Sequence, residues 1–190
     1  MANVTFIGGD GELLAFDTGP GNALLDDWMK RTTGEPFDKS GALAATGKPD
    51  AGIIARFAAL PFFDRPPPKS LDRDAFASID VTHLSAADGA ATLAELTVSA
   101  IVAGVRWLPS PPRRWLVAGG GRHNALLMQR LNQLLAAPVE PVEAIGHDGD
   151  TLEAAAWAYL AVRSRLGLPI TFPGTTGVAR PFTGGVFSPA

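Results

Sequence analysis

At 190 residues, with 46% hydrophobic and 18% charged side chains, the chain has the composition of a globular protein with a real core, not of a disordered one. A formal net charge of −3 excludes the basic footprint of a nucleic-acid or anionic-membrane binder. The absence of cysteine excludes a disulfide framework and thiolate metal sites, and it suits the cytoplasm. No apolar run approaches the roughly 18 residues of a bilayer span, and residues 1–7 alternate like a strand instead of opening as a signal peptide.

In chain order, the β-branched and aromatic run 3–7 predicts a strand, the Asp10-Gly11 dipeptide a tight hairpin turn, and 13–16 the returning strand. A glycine-rich turn, Asp17-Thr18-Gly19-Pro20-Gly21-Asn22, then leads into an apolar-periodic helix over 23–32. Residues 34–49 read as loop and short helix, and 53–60 as a short helix. The three prolines 66–68 force an extended crossing over 65–70. The clearest long helix runs over 85–105. Ser85 and Asp88 have capping-box-like spacing, and Leu93, Leu96, Ala100 and Ile101 fall on one face.

After the break at 109–114, residues 114–118 read as a buried-type strand that runs into Gly119-Gly120-Gly121. The next helix carries Leu127, Met128, Leu131, Leu134 and Leu135 as its apolar stripe. A short strand over 139–144 leads to the polar turn 146–150. A last helix starts at Thr151, with Asp150 as N-cap, Glu153 at N3, and Leu152, Ala155, Ala156, Tyr159 and Leu160 turned inward. The tail from Gly167 reads as irregular. This order of elements argues for an α/β domain with helices against a mixed sheet.

Two stretches could carry chemistry. In 17–22, glycines let the backbone approach an anion, and Asp17 could hold Mg²⁺ through water or orient a hydroxyl; the plainer alternative is a tight turn with Asp17 or Asn22 as a cap. In Leu116-Val117-Ala118-Gly119-Gly120-Gly121-Arg122-His123-Asn124, a strand ending in glycines before a helix is a common nucleotide site, although neither a Walker loop nor the Gly-x-Gly-x-x-Gly spacing is present. The alternative is a flexible turn with Asn124 as N-cap. A metal site from His147, Asp148 and Asp150 has no second histidine beside it, and capping accounts for Asp150 and Glu153. His83 and His123 lie in polar turns, and no nucleophile elbow supports a hydrolase. Lys69-Ser70 reads equally as a substrate lip or a structured surface loop.

Taken together, the stretches 16–26, 66–70, 91–97 and 117–124, and more loosely 153–159, resemble the C-terminal part of the anhydro-N-acetylmuramic acid kinase family over essentially the whole chain. The resemblance implies one lobe of the actin-like ATPase (ribonuclease H-like) fold, whose two lobes close over ATP. It also implies hydrolytic opening of 1,6-anhydro-N-acetylmuramic acid and phosphorylation at O6 during recycling of cell-wall sugars, with ATP and Mg²⁺ as cofactors. By position, Gly119, Gly120, Gly121 and Asn124 would line the adenosine side. Asp17, Thr18 and Gly19 would lie near the phosphates and sugar, and Asn22 and Glu153 would border the sugar.

The family's first phosphate loop and its catalytic aspartate have no counterpart here, nor does the strand that enters at Ala2, and Arg73 follows Leu71-Asp72, where the family usually has Thr-Gly. Losing a general base alone costs about 10² to 10⁴-fold. The expectation is therefore a single C-terminal lobe over 1–190, with no catalytic residue of its own, weak nucleotide affinity and no turnover. An unpaired sheet edge would suit a homodimer or the missing N-terminal lobe. The alternatives are a non-catalytic nucleotide-binding or chaperone-like module, or a remnant of a truncated gene.

Overall fold

The hairpin follows directly from the alternation in the first strand. In the computed structural model, which describes residues 1–186 and Ser188, β1 (Ala2–Ile7) and β2 (Leu13–Gly19) pair antiparallel, with Val4 opposite Phe16 and Phe6 opposite Leu14. Val4, Phe6 and Phe16 are buried while Thr5 and Ile7 face out. The second strand runs three residues further than expected, because Asn3 pairs with Asp17 and Ala2 with Gly19 across an irregularity in the register. Asp17, Thr18 and Gly19 are thus strand residues, and the turn proper begins at Pro20.

Helix α1 (Ala23–Thr32) follows. Over 39–46 two short 3₁₀ turns are held by Asp38, whose two carboxylate oxygens accept the Leu43 and Ala44 N–H groups at 2.9 Å each. Helix α2 (Ala51–Ala58) starts two residues before its expected position, since Asp50 caps it by accepting the Ile53 N–H at 2.8 Å. Phe57, Phe62, Phe63 and Phe76 pack edge to face beneath it.

Helix α3 (Ala86–Gly104) is the spine. Ser85 caps it by accepting the Asp88 N–H, but the Asp88 carboxylate takes the Lys48 N–H at 2.7 Å instead of closing a capping box. Leu93, Leu96 and Ala100 are buried as expected and Ile101 is half-buried. Ala90, Ala91, Ala94 and Val98 are buried too, because α1, α2, the hairpin and the next helix surround α3. A helix buried on several sides is apolar on several sides. The segment 86–107 accordingly has the length and composition of a membrane span, contrary to the sequence reading, and burial in this core accounts for it. Small residues make the packing possible. A Cβ on Gly19 would stand 2.5 Å from Ala100 Cβ, and one on Gly104 would stand 3.1 Å from Thr18 and 3.2 Å from Phe16.

The strand β3 (Trp115–Val117) pairs parallel with β4 (Val139–Pro141), with helix α4 (Ala125–Leu134) between them in sequence. Leu127, Leu131 and Leu135 face the core, whereas Leu134 is exposed. β3 is not the buried strand expected. Leu116 is exposed, because among the described residues β3 has one neighbouring strand. β4 ends at Pro141, where a 3₁₀ turn takes over. The sheet also departs from expectation. Among the described residues, antiparallel and parallel pairs are both present, but they remain two separate two-stranded sheets.

Helix α5 (Leu152–Arg165) overturns the expected inward face, for none of its residues is buried. The tail then forms a short helix α6 (Pro173–Thr176) that packs on β2, and a single bridge between Thr171 and Phe182. Gly19→Ala is expected to cost about 1–3 kcal/mol from overpacking, read as a lower urea midpoint with the slope unchanged. Ala100→Gly in the same chain should recover part of the loss.

Candidate functional site

Two glycine-bearing stretches meet where β2 leaves the hairpin. Asp17 is tied to the proline crossing. Its N–H donates to the Lys69 carbonyl at 2.9 Å, and its Oδ2 accepts the Leu71 N–H at 2.7 Å. Lys69 points inward and not to a substrate lip. Its Nζ donates to the carbonyls of Phe62 (3.1 Å) and Phe63 (3.5 Å) and lies over the Phe62 ring at 4.4 Å. Burial, followed by the nearby Arg106 and Arg65, pulls its pKa below the usual lysine value.

Thr18 is 2% exposed and its hydroxyl donates to the Ala2 carbonyl at 3.2 Å, so its side chain is committed to the hairpin. Gly19 is likewise committed, to α3. Gly21 has φ +60°, and its carbonyl accepts the Thr97 hydroxyl at 2.7 Å, which fastens the turn to α3. Asn22 occupies the N-cap position of α1 but makes no side-chain cap bond. Its amide nitrogen lies 3.7 Å from where a Cβ on Gly120 would stand. This contact is where 17–22 and the triple glycine come together.

The glycine loop is open. Gly119 turns with φ +71°, and a Cβ on Gly119 or Gly121 would meet nothing within 4 Å. A 3₁₀ turn over Gly120–His123 follows, whose first N–H groups have no partner inside the turn. Arg122 folds back beneath it. Nη1 donates to the Gly119 carbonyl (3.0 Å), Nε to Glu143 (2.8 Å), and Nη2 pairs with Asp150 (2.8 Å). The Gly149 N–H donates to the same Glu143 oxygen at 3.1 Å. The Arg122 bond is the main cause that holds both the Glu143 and Asp150 carboxyls below the ordinary carboxylate range.

Asp150 is therefore neither the N-cap of α5, a position that falls to Thr151, nor a member of a metal set. Among the described residues no group of three or more His, Cys, Asp or Glu could hold a metal ion. His83, His123 and His147 are exposed. Asn124 is buried and caps α4 by accepting the Leu127 N–H at 3.1 Å. Glu153 is exposed in the first turn of α5, three residues beyond the clamped Asp150.

Arg122 is the residue that sequence reasoning missed as an organiser. Its partners lie 21 and 28 positions away, and no local spacing rule links them. An apolar cavity of about 470 Å³, lined by residues such as Ala44, Ile54, Ala94 and Leu127 with the Glu95–Arg130 pair at its wall, contains none of the sequence-predicted site residues.

The chain matches the family model described as anhydro-N-acetylmuramic acid kinase over residues 1–190. Similar curated proteins, each named anhydro-N-acetylmuramic acid kinase, come from Rhodospirillum rubrum (52% identical, covering 100% of this chain and 51% of the relative), Rhizorhabdus wittichii (53%, 98% and 51%) and Acidiphilium cryptum (55%, 97% and 52%). The chain thus spans about half the length of the curated relatives it matches.

Because both carboxyls are depressed in the folded state, the clamp contributes fully above the unfolded carboxylate values, roughly pH 4. Its contribution is lost as pH falls through the lowered folded values. Carboxyl-detected NMR should show Glu143 and Asp150 titrating below the usual range, and Arg122→Met should raise both, Glu143 remaining partly depressed by the Gly149 N–H. Unchanged titrations in that variant would contradict the clamp.

Proposed function

The chain belongs to the anhydro-N-acetylmuramic acid kinase family, and from that premise we propose that it is the nucleotide-binding half of such a kinase, shaped as one actin-like lobe and without turnover on its own. The observation that carries this reading is the junction of Asn22 with the open face of Gly120. Two turns far apart in sequence are brought together with backbone and a free-facing amide, not bulky side chains, toward the open side. Such a surface suits close approach of a phosphorylated nucleotide.

The residues present fit MgATP, which when bound supplies the phosphoryl group. Gly119, Gly120 and Gly121 offer open backbone, and the Asn22 amide beside them offers a donor and an acceptor. Asp17, two residues before the end of β2 and with one carboxylate oxygen held by the Leu71 N–H, would orient a hydroxyl or a metal-bound water. Thr18 and Gly19 act through the backbone they hold in place, and Asn124 by fixing the start of α4. Arg122 stays with its carboxylates, so it organises the loop and leaves phosphate charge to the backbone and the cation. Glu153, three residues beyond the clamped Asp150, borders the amino-sugar side in this reading.

The substrate in this reading is 1,6-anhydro-N-acetylmuramic acid, opened by water and phosphorylated at O6 in cytoplasmic recycling of cell-wall sugars. The general base belongs to the half of the relatives that this chain does not match. Phosphoryl transfer depends on positioning from both sides of the nucleotide, which is why the chain alone is inactive in this account.

Gly120→Ala is the clean test, since the added methyl meets only the Asn22 amide nitrogen, at an ordinary van der Waals distance of 3.7 Å, and is expected to leave the unfolding midpoint unchanged. Calorimetry should find weak, saturable Mg-ADP binding to the wild type, roughly 0.1–1 mM, and binding at least about tenfold weaker, or ~1.4 kcal/mol, in the variant. Equal affinity in the two proteins would remove the glycine loop from the site.

A further inference from the structure

We propose that Thr97, a buried residue of α3, is a positioning residue for the junction of Asn22 with Gly120. Through the Gly21 carbonyl it sets where Asn22 stands, and with it the affinity of the surface for Mg-ADP. The proposal rests on the reading of that junction as a nucleotide site.

Packing alone does not ask for a threonine at this point of the helix. Its neighbours Leu96 and Val98 are buried and apolar, and Thr97 itself is 4% exposed. Valine has nearly the same shape and would bury no hydroxyl, a group whose desolvation is unfavourable unless it is hydrogen-bonded. A threonine inside a helix can bond back to the carbonyl four residues before it. Here the Leu93 carbonyl lies at 3.4 Å, whereas the Gly21 carbonyl, 76 positions away, lies at 2.7 Å. The hydroxyl has one proton to give, and the shorter bond takes it. The side chain therefore serves the turn and not its own helix.

The turn transmits that bond to the site. Gly21 is buried, and a Cβ on it would stand 2.8 Å from the Met1 carbonyl carbon, so the turn rests on the start of the hairpin on one side. The peptide unit that joins Gly21 to Asn22 is planar and trans, with its C=O and N–H on opposite sides. A carbonyl aimed at α3 thus turns the Asn22 N–H away from α3. Asn22 has no side-chain cap bond to α1, so the adjoining peptide plane is what orients it beside Gly120. Without the Thr97 hydroxyl the buried Gly21 carbonyl loses this donor. The plane is then free to rotate, and the Asn22 amide leaves its place. Thr92 offers an internal comparison on the same helix. It is also buried, but its hydroxyl accepts the Asp50 N–H at 2.9 Å and donates to the Asp88 carbonyl at 2.7 Å, at the start of α2 and not at the junction.

The test compares Thr97→Val, Thr97→Ser and Thr92→Val in the full chain by amide NMR, urea unfolding and Mg-ADP calorimetry. Thr97→Val and Thr92→Val should both lower the urea midpoint, since each removes a buried hydroxyl and strips its partners of a hydrogen bond. Only Thr97→Val should move the Asn22 side-chain and Gly120 amide resonances, and only it should weaken Mg-ADP binding, by at least about fivefold. Thr97→Ser keeps the hydroxyl and should restore the resonances, and the affinity to within about twofold, even where its midpoint stays low for want of the methyl group. Asn22 and Gly120 resonances unmoved in Thr97→Val would overturn the proposal. So would equal losses of affinity in Thr97→Val and Thr92→Val, or a Thr97→Ser variant as weak as Thr97→Val. The two readings fail separately. Mg-ADP binding that Gly120→Ala weakens and Thr97→Val does not sinks the positioning role alone. A wild-type chain that binds no Mg-ADP sinks the nucleotide reading alone, the moved resonances still upholding Thr97 as the residue that sets the junction.

Discussion

The close approach of β2 to α3 is the constraint on which the rest of the structure depends. Gly19 lies so near Ala100 that a methyl group would not fit, and Gly104 leaves room for Phe16 and Thr18. With the strand held there, the Thr97 hydroxyl reaches the Gly21 carbonyl, and the turn that follows has one possible position. Helix α4 packs on the same spine and carries the triple glycine at its entrance. The meeting of Asn22 with Gly120 is thus a consequence of packing on α3.

A second set of contacts makes the site polar without making it charged. Arg122 is the cation nearest the open glycines in sequence, yet the Gly119 carbonyl, Glu143 and Asp150 occupy its guanidinium. Pairing of this kind satisfies a buried cation, and here it also fixes the loop, the turn at 146–150 and the start of α5 relative to one another. Lys69 is similarly withdrawn, held by carbonyls and aromatic rings. The open surface near the glycines is left to backbone groups and the Asn22 amide. That is the complement expected of one side of a nucleotide site whose other side is built by different residues.

Much of this was legible in the sequence where the signal is local. The alternation in 3–7 and the Asp10-Gly11 turn specified the hairpin, and Ser85 with the apolar periodicity specified α3. The glycine stretches were recognisable as places for close backbone approach. The sequence did not separate Gly19, which serves packing, from Gly119 and Gly121, where a side chain would meet nothing, because each is simply a glycine beside a strand. Arg122 was illegible as an organiser because its partners are distant in sequence. The inward face assigned to α5 failed for a related reason: periodicity and composition show that a helix wants cover but not whether the same stretch of chain supplies it. Leu116 on β3 carries the same lesson, a strand of buried character with one neighbour only.

The central claim, that the two glycine stretches form one nucleotide surface, is tested most directly by amide shift mapping during a Mg-ADP titration of the chain. The account predicts saturating shifts concentrated at 17–22 and 119–124, with the apolar cavity between α2, α3 and α4 undisturbed. Shifts confined to that cavity, or an unchanged spectrum at millimolar nucleotide, would contradict it.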